Sequence, residues 1–279
     1  MLSLFHTVCH ECSEVVTKRY STSFSSAIKL LHKDLRAPIF DIYGFVRFAD
    51  EIVDTFHDYD KETLLNEFEA ETWKAIKNGI SLNPILHSFQ TVVRKYNIPY
   101  DLIEAFLYSM RLDLNKTDYN TVHEMDEYVY GSAEVVGLMC LCVFCEGDMQ
   151  QYEALKGQAR KLGAAFQKIN FLRDIQADYN NLNRTYFPDF DYYRFDQHTK
   201  QRIEDDIEAD FKAALEGIRK LPWKARFGVY TAYRYYYALF NKIKKMHPKH
   251  VLEQRVRVPD YQKAFIVFSA GLNNRLNLI

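Results

Sequence analysis

The sequence predicts an all-α protein, and three of its features carry that prediction. The 279 residues include only 10 Gly and 7 Pro, which is sparse punctuation for a protein with many turns. The apolar fraction of 48% supports a sizeable core and gives no sign of disorder. Apolar residues recur with helical spacing along most of the chain. No linker rich in Gly, Ser or Pro divides it, so we expect a single domain over residues 1–279.

The individual helices are predicted from that spacing and from the residues at their ends. Pro38, Pro99 and Pro259 each suit a first helical turn, where the missing amide hydrogen costs no bond. Residues 180–192 combine Asn, Pro and Asp without a helical period and are predicted to form a loop. In chain order the predicted helices are 11–32, 38–56, 61–78, 83–96, 99–115, 122–145, 149–179, 200–220, 223–247 and 259–276.

Charge is balanced over the whole chain but uneven along it. The formal net charge of −1 gives no overall bias toward nucleic acid, which we do not expect as a partner. Nine acidic residues and one lysine lie between Asp50 and Glu71, whereas eleven Lys and Arg and a single Glu lie between Arg219 and Arg257. These blocks are either solvated faces or a cation-binding wall and an anion-binding or membrane-facing wall.

The cysteines and the apolar runs bear on the compartment. The five cysteines are odd in number and no cleavable signal pattern is present, which favours a reduced setting. The Cys9–Cys12 pair has no second pair at zinc-binding spacing. The longest uninterrupted apolar stretch, residues 135–145, is too short for a membrane span of roughly 20 residues. We expect a cytoplasmic protein, free or in peripheral contact with the inner face of the membrane.

The first chemical motif is a helix with two carboxylates on one face. Tyr43, Arg47, Asp50 and Asp54 are spaced 4, 3 and 4 residues apart, which places them on the same side of a helix. Aspartates one turn apart repel by a few tenths of a kcal/mol on an exposed helix. A hard cation explains the pair, because magnesium takes carboxylate oxygens together with water and substrate phosphates.

The second motif repeats this design over a longer stripe. Its members are spaced 4, 3, 4 and 4 residues apart and share a face about 22 Å long at 1.5 Å per residue. Its glycine leaves room for a close approach, and its amides can bond phosphate oxygens or metal-bound water. If the two helices face each other, four carboxylates surround a cavity, and a metal-bridged diphosphate is the natural ligand. The stripe consists of Gly163, Gln167, Asn170, Asp174 and Asp178.

Both motifs resemble those of the squalene/phytoene synthase family, and three further segments match it. The segment from Ser21 to Phe24 resembles the early Ser-x-Ser-Phe flap of that family. The segment from Tyr128 to Gly137 resembles its central tyrosine-glycine motif. Arg184-Thr-Tyr186-Phe187-Pro188 resembles the segment that follows the second aspartate pair. The matches run in order over residues 21–188, with a weaker tyrosine-rich helix near Tyr236.

The resemblance implies an isoprenoid (terpenoid) synthase fold, with helices around a central cavity and prenyl diphosphates as substrates. It implies that magnesium, with manganese as a substitute, is held by Asp50, Asp54, Asn170, Asp174 and Asp178. Catalysis would rest on Tyr128, on Arg47 and on the four aspartates. Substrate contacts would come from Ser21, Ser23, Tyr43, Gln167, Asn170, Arg173, Arg184 and Tyr236. Glu134 departs from the family pattern and either lies at the hydrocarbon channel or pairs with a base. The flap lacks a basic residue, which the basic C-terminal segment could replace.

The activity that the resemblance favours is head-to-head condensation of two geranylgeranyl diphosphates to phytoene, through a cyclopropyl (prephytoene) diphosphate. The segment from Tyr128 to Gly137 resembles bacterial relatives of the carotenoid pathway, and no C-terminal membrane anchor is evident. One alternative is squalene or dehydrosqualene formation from farnesyl diphosphate, which requires NADPH only for squalene. Another is a catalytically silent member acting as an assembly factor, although such proteins typically lose the metal-binding aspartates. The sequence leaves the oligomeric state open.

Overall fold

The computed structural model describes residues 2–182, 185–188 and 195–275, and these ranges contain helices and no strand. A single isolated bridge joins Asp118 to Thr185 within them. The all-α prediction is therefore confirmed. The helices are α1 Leu2–Tyr20, α2 Thr22–Ile28, α3 Lys33–Thr55, α4 Lys61–Asn78, α5 Pro84–Lys95, α6 Tyr100–Asn115, α7 Val122–Val129, the π-helical segment Tyr130–Glu134, α8 Val135–Phe144, α9 Met149–Leu182, α10 Gln197–Lys220, α11 Trp223–Lys244, α12 Pro248–Glu253 and α13 Asp260–Arg275.

The predicted helix over residues 11–32 is wrong, because the chain forms two helices there. The backbone of Ser21 is extended, with φ −143° and ψ 97°, and separates α1 from α2. Its hydroxyl accepts a hydrogen bond from the Phe24 amide at 3.3 Å. Serine prefers this N-cap position because its oxygen satisfies an amide at the start of a helix. Apolar spacing alone could not locate this break.

The sequence predicted Pro38 in a first helical turn, but Pro38 lies inside α3. The helix begins five residues earlier, at Lys33, after His32 as its N-cap. Pro38 removes one internal hydrogen bond and normally disfavours a helix interior. Here it is buried together with Leu35 and Ile39, and that packing offsets the lost bond.

Other boundaries differ at the ends of long helices. The helix predicted over 149–179 continues to Leu182, so the loop predicted over 180–192 starts later than expected. Residues 183–184 and 189–192 of that prediction lie outside the described ranges. The helix predicted over 223–247 ends at Lys244 and is followed by the short helix α12. The π-helical segment divides the helix predicted over 122–145.

Two helices organise the packing, and both carry the acidic motifs. Helix α3 packs against α1, α4, α5, α6 and α8, while α9 packs against α7, α8, α10, α11 and α12. Helix α8 therefore touches both. The core beside α3 includes Phe45, whose ring stacks on Phe89 with 3.9 Å between the centroids. Gly44 permits the close approach of α1, since a Cβ there would lie 2.8 Å from the Ser13 hydroxyl.

The continuous stretch Val122–Phe144 is the one described helix long and apolar enough to cross a membrane by length and composition. Its most apolar window has a mean hydropathy of 1.4 and is 61% buried within the protein. It packs against α3, α6 and α9. Burial on this scale is typical of a core helix.

Candidate functional site

The first carboxylate helix places an arginine between its two acidic neighbours. The Arg47 guanidinium donates to Asp50 Oδ2 at 2.5 Å and also to Glu51. Its carbon lies 4.5 Å from the centre of the Tyr20 ring, a cation–π contact from the end of α1. Arg47 is therefore held in one orientation beside Asp50.

Asp50 lies close to the carboxylates of Glu51 and Asp54 and to the Arg47 guanidinium. Its side chain is 36% exposed, yet burial raises its pKa to about 7. The negative charge of Asp54, one turn away, raises it further, and Arg47 partly opposes both effects. A carboxylate that is poorly solvated and faces a second carboxylate is stabilised by a cation more strongly than an exposed one. This is the electrostatic environment that a divalent metal ion would relieve.

The second carboxylate helix also pairs its aspartate with arginine. Arg173 Nε lies 3.1 Å from both oxygens of Asp174. Arg255, on the segment between α12 and α13, donates from Nε to Asp174 Oδ1 at 2.7 Å. Asp174 is thus held by two guanidinium groups. Asp178 lies one turn further along α9 and is half-buried.

The amides of the stripe contact neighbouring elements. Asn170 Oδ1 accepts from the Tyr236 hydroxyl of α11 at 3.4 Å, and the Tyr236 ring stacks on Phe166 with 3.9 Å between the centroids. Gln167 Nε2 lies 3.4 Å from the Ser132 hydroxyl of the π-helical segment. These polar atoms form one continuous surface along α9.

Tyr43 and Tyr236 connect the two motifs. Burial raises the pKa of Tyr43, a hydrogen bond to Ser21 lowers it, and the Tyr236 phenol lies near enough to raise it. The Tyr43 ring also stacks on Phe24, with 4.9 Å between the centroids. Tyr236 also bonds Asn170 of α9, so it interacts with one residue of each motif. We therefore expect the acidic faces of α3 and α9 to border the same region. Ser23 is half-buried on α2.

Gly163 permits a close approach, as the sequence predicted, and the approaching group is protein backbone. A Cβ at this position would lie 2.9 Å from the Ala133 carbonyl oxygen and 2.9 Å from Glu134 Cα. The close approach that the glycine permits is therefore that of the π-helical backbone. Glu134 itself is nearly buried and pairs with Arg160 at 2.5 Å, which agrees with the expectation that it pairs with a base.

Tyr128 lies apart from the carboxylates, in a cluster of aromatic rings. Its hydroxyl donates to Asp113 Oδ2 of α6 at 3.0 Å, and both side chains are buried. The Tyr128 ring packs near Tyr119 and Tyr186, and Tyr186 stacks on Phe171 at 3.9 Å. Phe171 adjoins Asn170 on α9, so this cluster lies beside the polar stripe. Arg184, also expected at the site, lies outside the described residues.

Three site residues were not identified from the sequence. Tyr20 contacts Arg47, Asp113 contacts Tyr128, and Arg255 contacts Asp174. Asp113 stands between two leucines on an amphipathic helix, which gives no signal of its role. From the sequence, we expected the basic C-terminal segment to supply the positive charge that the flap lacks. Arg255 lies in that segment and contacts Asp174.

The donor set fits magnesium, which is commonly held by one or two carboxylates together with substrate phosphates and water. Within the described ranges, no group of three or more His, Cys, Asp or Glu side chains could hold a metal by itself. Two separate pairs, Asp50 with Asp54 and Asp174 with Asp178, agree with ions shared between protein and diphosphate. The core thiols are poor ligands, since burial raises the pKa of Cys140 and of Cys142 to about 12.

The chain is similar in sequence to a known protein family and to individual relatives. A profile of the squalene/phytoene synthase family matches residues 17–262. The 15-cis-phytoene synthase of Paracoccus sp. is 27% identical over 260 residues, which cover 85% of this chain and 82% of that protein. The phytoene synthase of Arthrospira platensis is 27% identical over 293 aligned positions, covering 96% of this chain and 94% of that protein.

Solved structures share the architecture. A dehydrosqualene synthase superposes with a TM-score of 0.85 at 21% identity and covers 97% of this chain and 98% of its own. The squalene synthase HpnC from Alicyclobacillus acidocaldarius superposes with a TM-score of 0.76 at 20% identity, over 86% of this chain and 94% of its own. The predicted isoprenoid-synthase architecture is thereby confirmed.

Proposed function

Because the chain belongs to the squalene/phytoene synthase family and is an enzyme of the prenyltransferase type, we propose that it condenses two geranylgeranyl diphosphates head to head to phytoene. The observation that supports this proposal is the presence of an aspartate pair on each of α3 and α9, two helices that both interact with Tyr236. The choice of the longer substrate is supported by the relatives named phytoene synthase, which align over most of this chain.

The aspartates and Asn170 would bind the diphosphates through magnesium, or manganese in its place. Asp50 and Asp54 would hold ions on the α3 side, and Asp174, Asp178 and Asn170 on the α9 side. Bound there, the metal would supply positive charge to stabilise the departing diphosphate. Arg47, Arg173 and Arg255 already lie at these carboxylates and can bond phosphate oxygens once metal binds the aspartates.

The reaction would proceed in two ionisations. The C1–O bond of the first substrate breaks and releases diphosphate, and the double bond of the second substrate attacks the allylic cation. Loss of a proton closes the cyclopropyl diphosphate. Its own C–O bond then breaks, the carbon skeleton rearranges, and a second proton loss gives phytoene. No reductant is consumed, whereas squalene would require hydride from NADPH.

Tyr128 would take part in the first proton loss. Its hydroxyl donates to Asp113 in the free protein, which fixes the direction of the phenol. In the first proton loss the phenol would give its own proton to the departing diphosphate as it takes one from the substrate. The neighbouring rings of Phe171 and Tyr186 can stabilise carbocations through their π faces. They also exclude water from the reactive intermediates.

The test is product analysis with purified protein, magnesium and either farnesyl or geranylgeranyl diphosphate, with and without NADPH. We expect phytoene from the longer substrate, with loss of product in Asp50→Asn and in Asp174→Asn. Asp126→Asn is the matched control, because Asp126 is exposed on α7. Activity retained in either site variant would contradict the proposed metal sites.

A second candidate is dehydrosqualene or squalene formation from farnesyl diphosphate. The observation that favours it is the TM-score of 0.85 with a dehydrosqualene synthase. Product formed only from the shorter substrate would support this candidate, and a requirement for NADPH would select squalene. No product from either substrate would indicate a silent family member that acts in assembly.

A further inference from the structure

A cavity of about 530 Å³ lies between α10, α11 and α13, on a face of α11 that the candidate site does not use. Tyr233 and Tyr237 line it and meet the ring of Phe211 edge to face, with 5.3 Å between the centroids in both pairs. Tyr236 points the other way and stacks on Phe166 of α9. Cavities of about 300–1,000 Å³ commonly bind small molecules. This one is therefore a second compartment, apart from the carboxylates.

Two cations line this cavity, and none of the described residues that line it is a carboxylate. Arg234 donates from Nη1 to the Tyr230 hydroxyl at 3.2 Å, and it forms no ion pair with any described carboxylate. Lys212 Nζ lies 3.9 Å from Glu208 Oε1, which is too long for a hydrogen bond. Glu208 is instead bonded by Lys244 at 2.6 Å. The positive charge at the cavity is therefore largely uncompensated within the described part of the chain.

Neutral donors line the same cavity. The hydroxyls of Tyr233 and Tyr237 and the amide of Asn241 form no hydrogen bond with another described side chain. Burial raises the pKa of Tyr233 to about 12, so its hydroxyl keeps its proton at neutral pH and can donate. The Tyr230 oxygen already accepts from the Asn273 amide at 3.3 Å. The cavity thus offers several donors to an occupant and few acceptors, which favours an anion.

Apolar side chains form the rest of the lining. They come from all three helices: Phe211 and Leu215 from α10, Ala238 from α11 and Ile266 from α13. Phe211 and Ile266 are buried, so this wall belongs to the protein interior. A site that combines an apolar wall with a few convergent polar groups is typical of small-molecule binding. An inorganic anion would contact only the polar groups, whereas an anion with an apolar body would contact both.

We propose that this cavity is a second binding site, which takes a phosphate monoester with an apolar body. Arg234 and Lys212 would bind the phosphate, assisted by Asn241. A phosphate monoester carries about −1.5 to −2 charges at pH 7 and so matches two cations, whereas a carboxylate carries one charge. Guanidinium groups bond phosphate oxygens in pairs. The occupant would contact α11, the helix that also carries Tyr236 of the candidate site. The choice of a prenyl chain as the apolar body of the probe rests on the proposed function.

The test is isothermal titration calorimetry of the purified protein with geranyl monophosphate, in EDTA and without magnesium. Without metal, the aspartates of the candidate site repel a phosphate, so the measurement reports on the cavity. We expect geranyl monophosphate to bind at least about tenfold more tightly than inorganic phosphate or geraniol, because only the monoester uses both the cations and the apolar wall. Product formation plays no part, so the outcome is independent of the proposed function.

The decisive variant combines Lys212→Gln with Arg234→Gln. We expect it to bind geranyl monophosphate about tenfold or more weakly, because it loses the charged hydrogen bonds to the phosphate. The matched control combines Lys74→Gln with Arg202→Gln, which removes the same two charges from exposed positions on α4 and α10. The control should bind as the wild type does. Circular dichroism and the melting temperature verify that both variants fold.

A second variant tests the apolar part of the cavity and keeps both cations. Ala238→Leu narrows the cavity, so it should weaken the binding of geranyl monophosphate and leave the weaker binding of inorganic phosphate unchanged. Absence of binding to the wild type would overturn the proposal, as would equal binding by the wild type and the Lys212→Gln, Arg234→Gln protein. Equal affinity of the wild type for inorganic phosphate and geranyl monophosphate would also overturn it, because the cavity would then bind a simple anion only.

Discussion

Arg255 and Asp174 are 81 residues apart in sequence and meet through a 2.7 Å contact between Nε and Oδ1. Arg255 is about half exposed, at 53%, whereas Asp174 is 20% exposed. The arginine therefore reaches from the surface segment before α13 to an aspartate proposed to bind metal. In the absence of substrate, the metal ion proposed to bind Asp174 would compete with this guanidinium.

Replacing Arg255 should change metal and diphosphate binding in opposite directions. Arg255→Gln is expected to tighten magnesium binding to the free protein about two- to fivefold, since a half-exposed ion pair contributes about 0–1 kcal/mol. It should weaken inorganic diphosphate binding in the presence of magnesium. Thermal-shift titrations with each ligand measure both effects. Arg257→Gln is the control, and identical titrations of the two variants would contradict the competition.

The bond between Tyr128 and Asp113 predicts a separable effect on chemistry and stability. Tyr128→Phe should lower kcat by about 10²-fold or more if the phenol accepts a proton. It should also destabilise the fold by about 1–3 kcal/mol, because it removes a donor from a buried carboxylate.

Asp113→Asn keeps a group of similar shape beside the phenol and should lower kcat less than Tyr128→Phe does. Denaturant unfolding and product assays on the two single variants and the double variant measure the coupling. If Tyr128→Phe loses the expected stability but keeps the kcat of the wild type, the role of Tyr128 is structural only.

Two glycines of α9 provide a matched test of close packing. Gly163→Ala should destabilise the protein by about 1–3 kcal/mol, because the new methyl group would meet the backbone of Ala133 and Glu134. Gly157→Ala has no atom within 4 Å of the new Cβ and should stabilise the helix by about 0.5–1 kcal/mol. Urea unfolding measures both. A Gly163→Ala protein as stable as the wild type would show that α9 and the π-helical segment can separate.

The pair His10–Asp41 predicts how stability depends on pH. Nδ1 of His10 lies 2.5 Å from Oδ2 of the fully buried Asp41. Burial raises the pKa of Asp41 to about 6, and the bond to Asp41 raises the pKa of His10 above its usual 6.5. The folded protein therefore binds more protons than the unfolded chain between about pH 4 and pH 7.

Because the folded state binds more protons, the contribution of this pair to stability falls as the pH rises through that range. The loss should amount to about 1–3 kcal/mol, since one unit of pKa corresponds to about 1.4 kcal/mol. Asp41→Asn should flatten this slope, whereas Asp126→Asn should not. Unfolding free energies measured between pH 4 and pH 8 test the difference, and parallel curves for the wild type and Asp41→Asn would contradict it.

The sequence was most informative where chemistry follows helical spacing. Tyr43, Arg47 and Asp50 were predicted to share a face because their separations match the period of a helix, and their contacts in α3 agree with that. Spacing could not reveal partners from distant elements. Asp113 reaches Tyr128 from another helix, and Arg255 reaches Asp174 across 81 residues.

Local exceptions to helical rules were also invisible in the sequence pattern. Ser21 breaks a helix through its side-chain cap, although the apolar period continues across it. Pro38 is retained within α3 because surrounding packing outweighs the lost backbone bond. Gly163 was interpreted as space for an approaching group, and only the fold identifies that group as the backbone of Ala133.

The π-helical segment Tyr130–Glu134 changes the direction in which side chains point between α7 and α8, which would otherwise form one regular α-helix. An inserted residue rotates everything beyond it by about 100° relative to an uninterrupted α-helix. Helix α7 can therefore aim Tyr128 at Asp113, while α8 independently presents its sides to α3 and α9. A single-residue deletion within the segment would restore the regular period and force these two orientations into conflict. The π-helical segment thus lets α7 face Asp113 while α8 faces α3 and α9, and one regular α-helix could not make both sets of contacts.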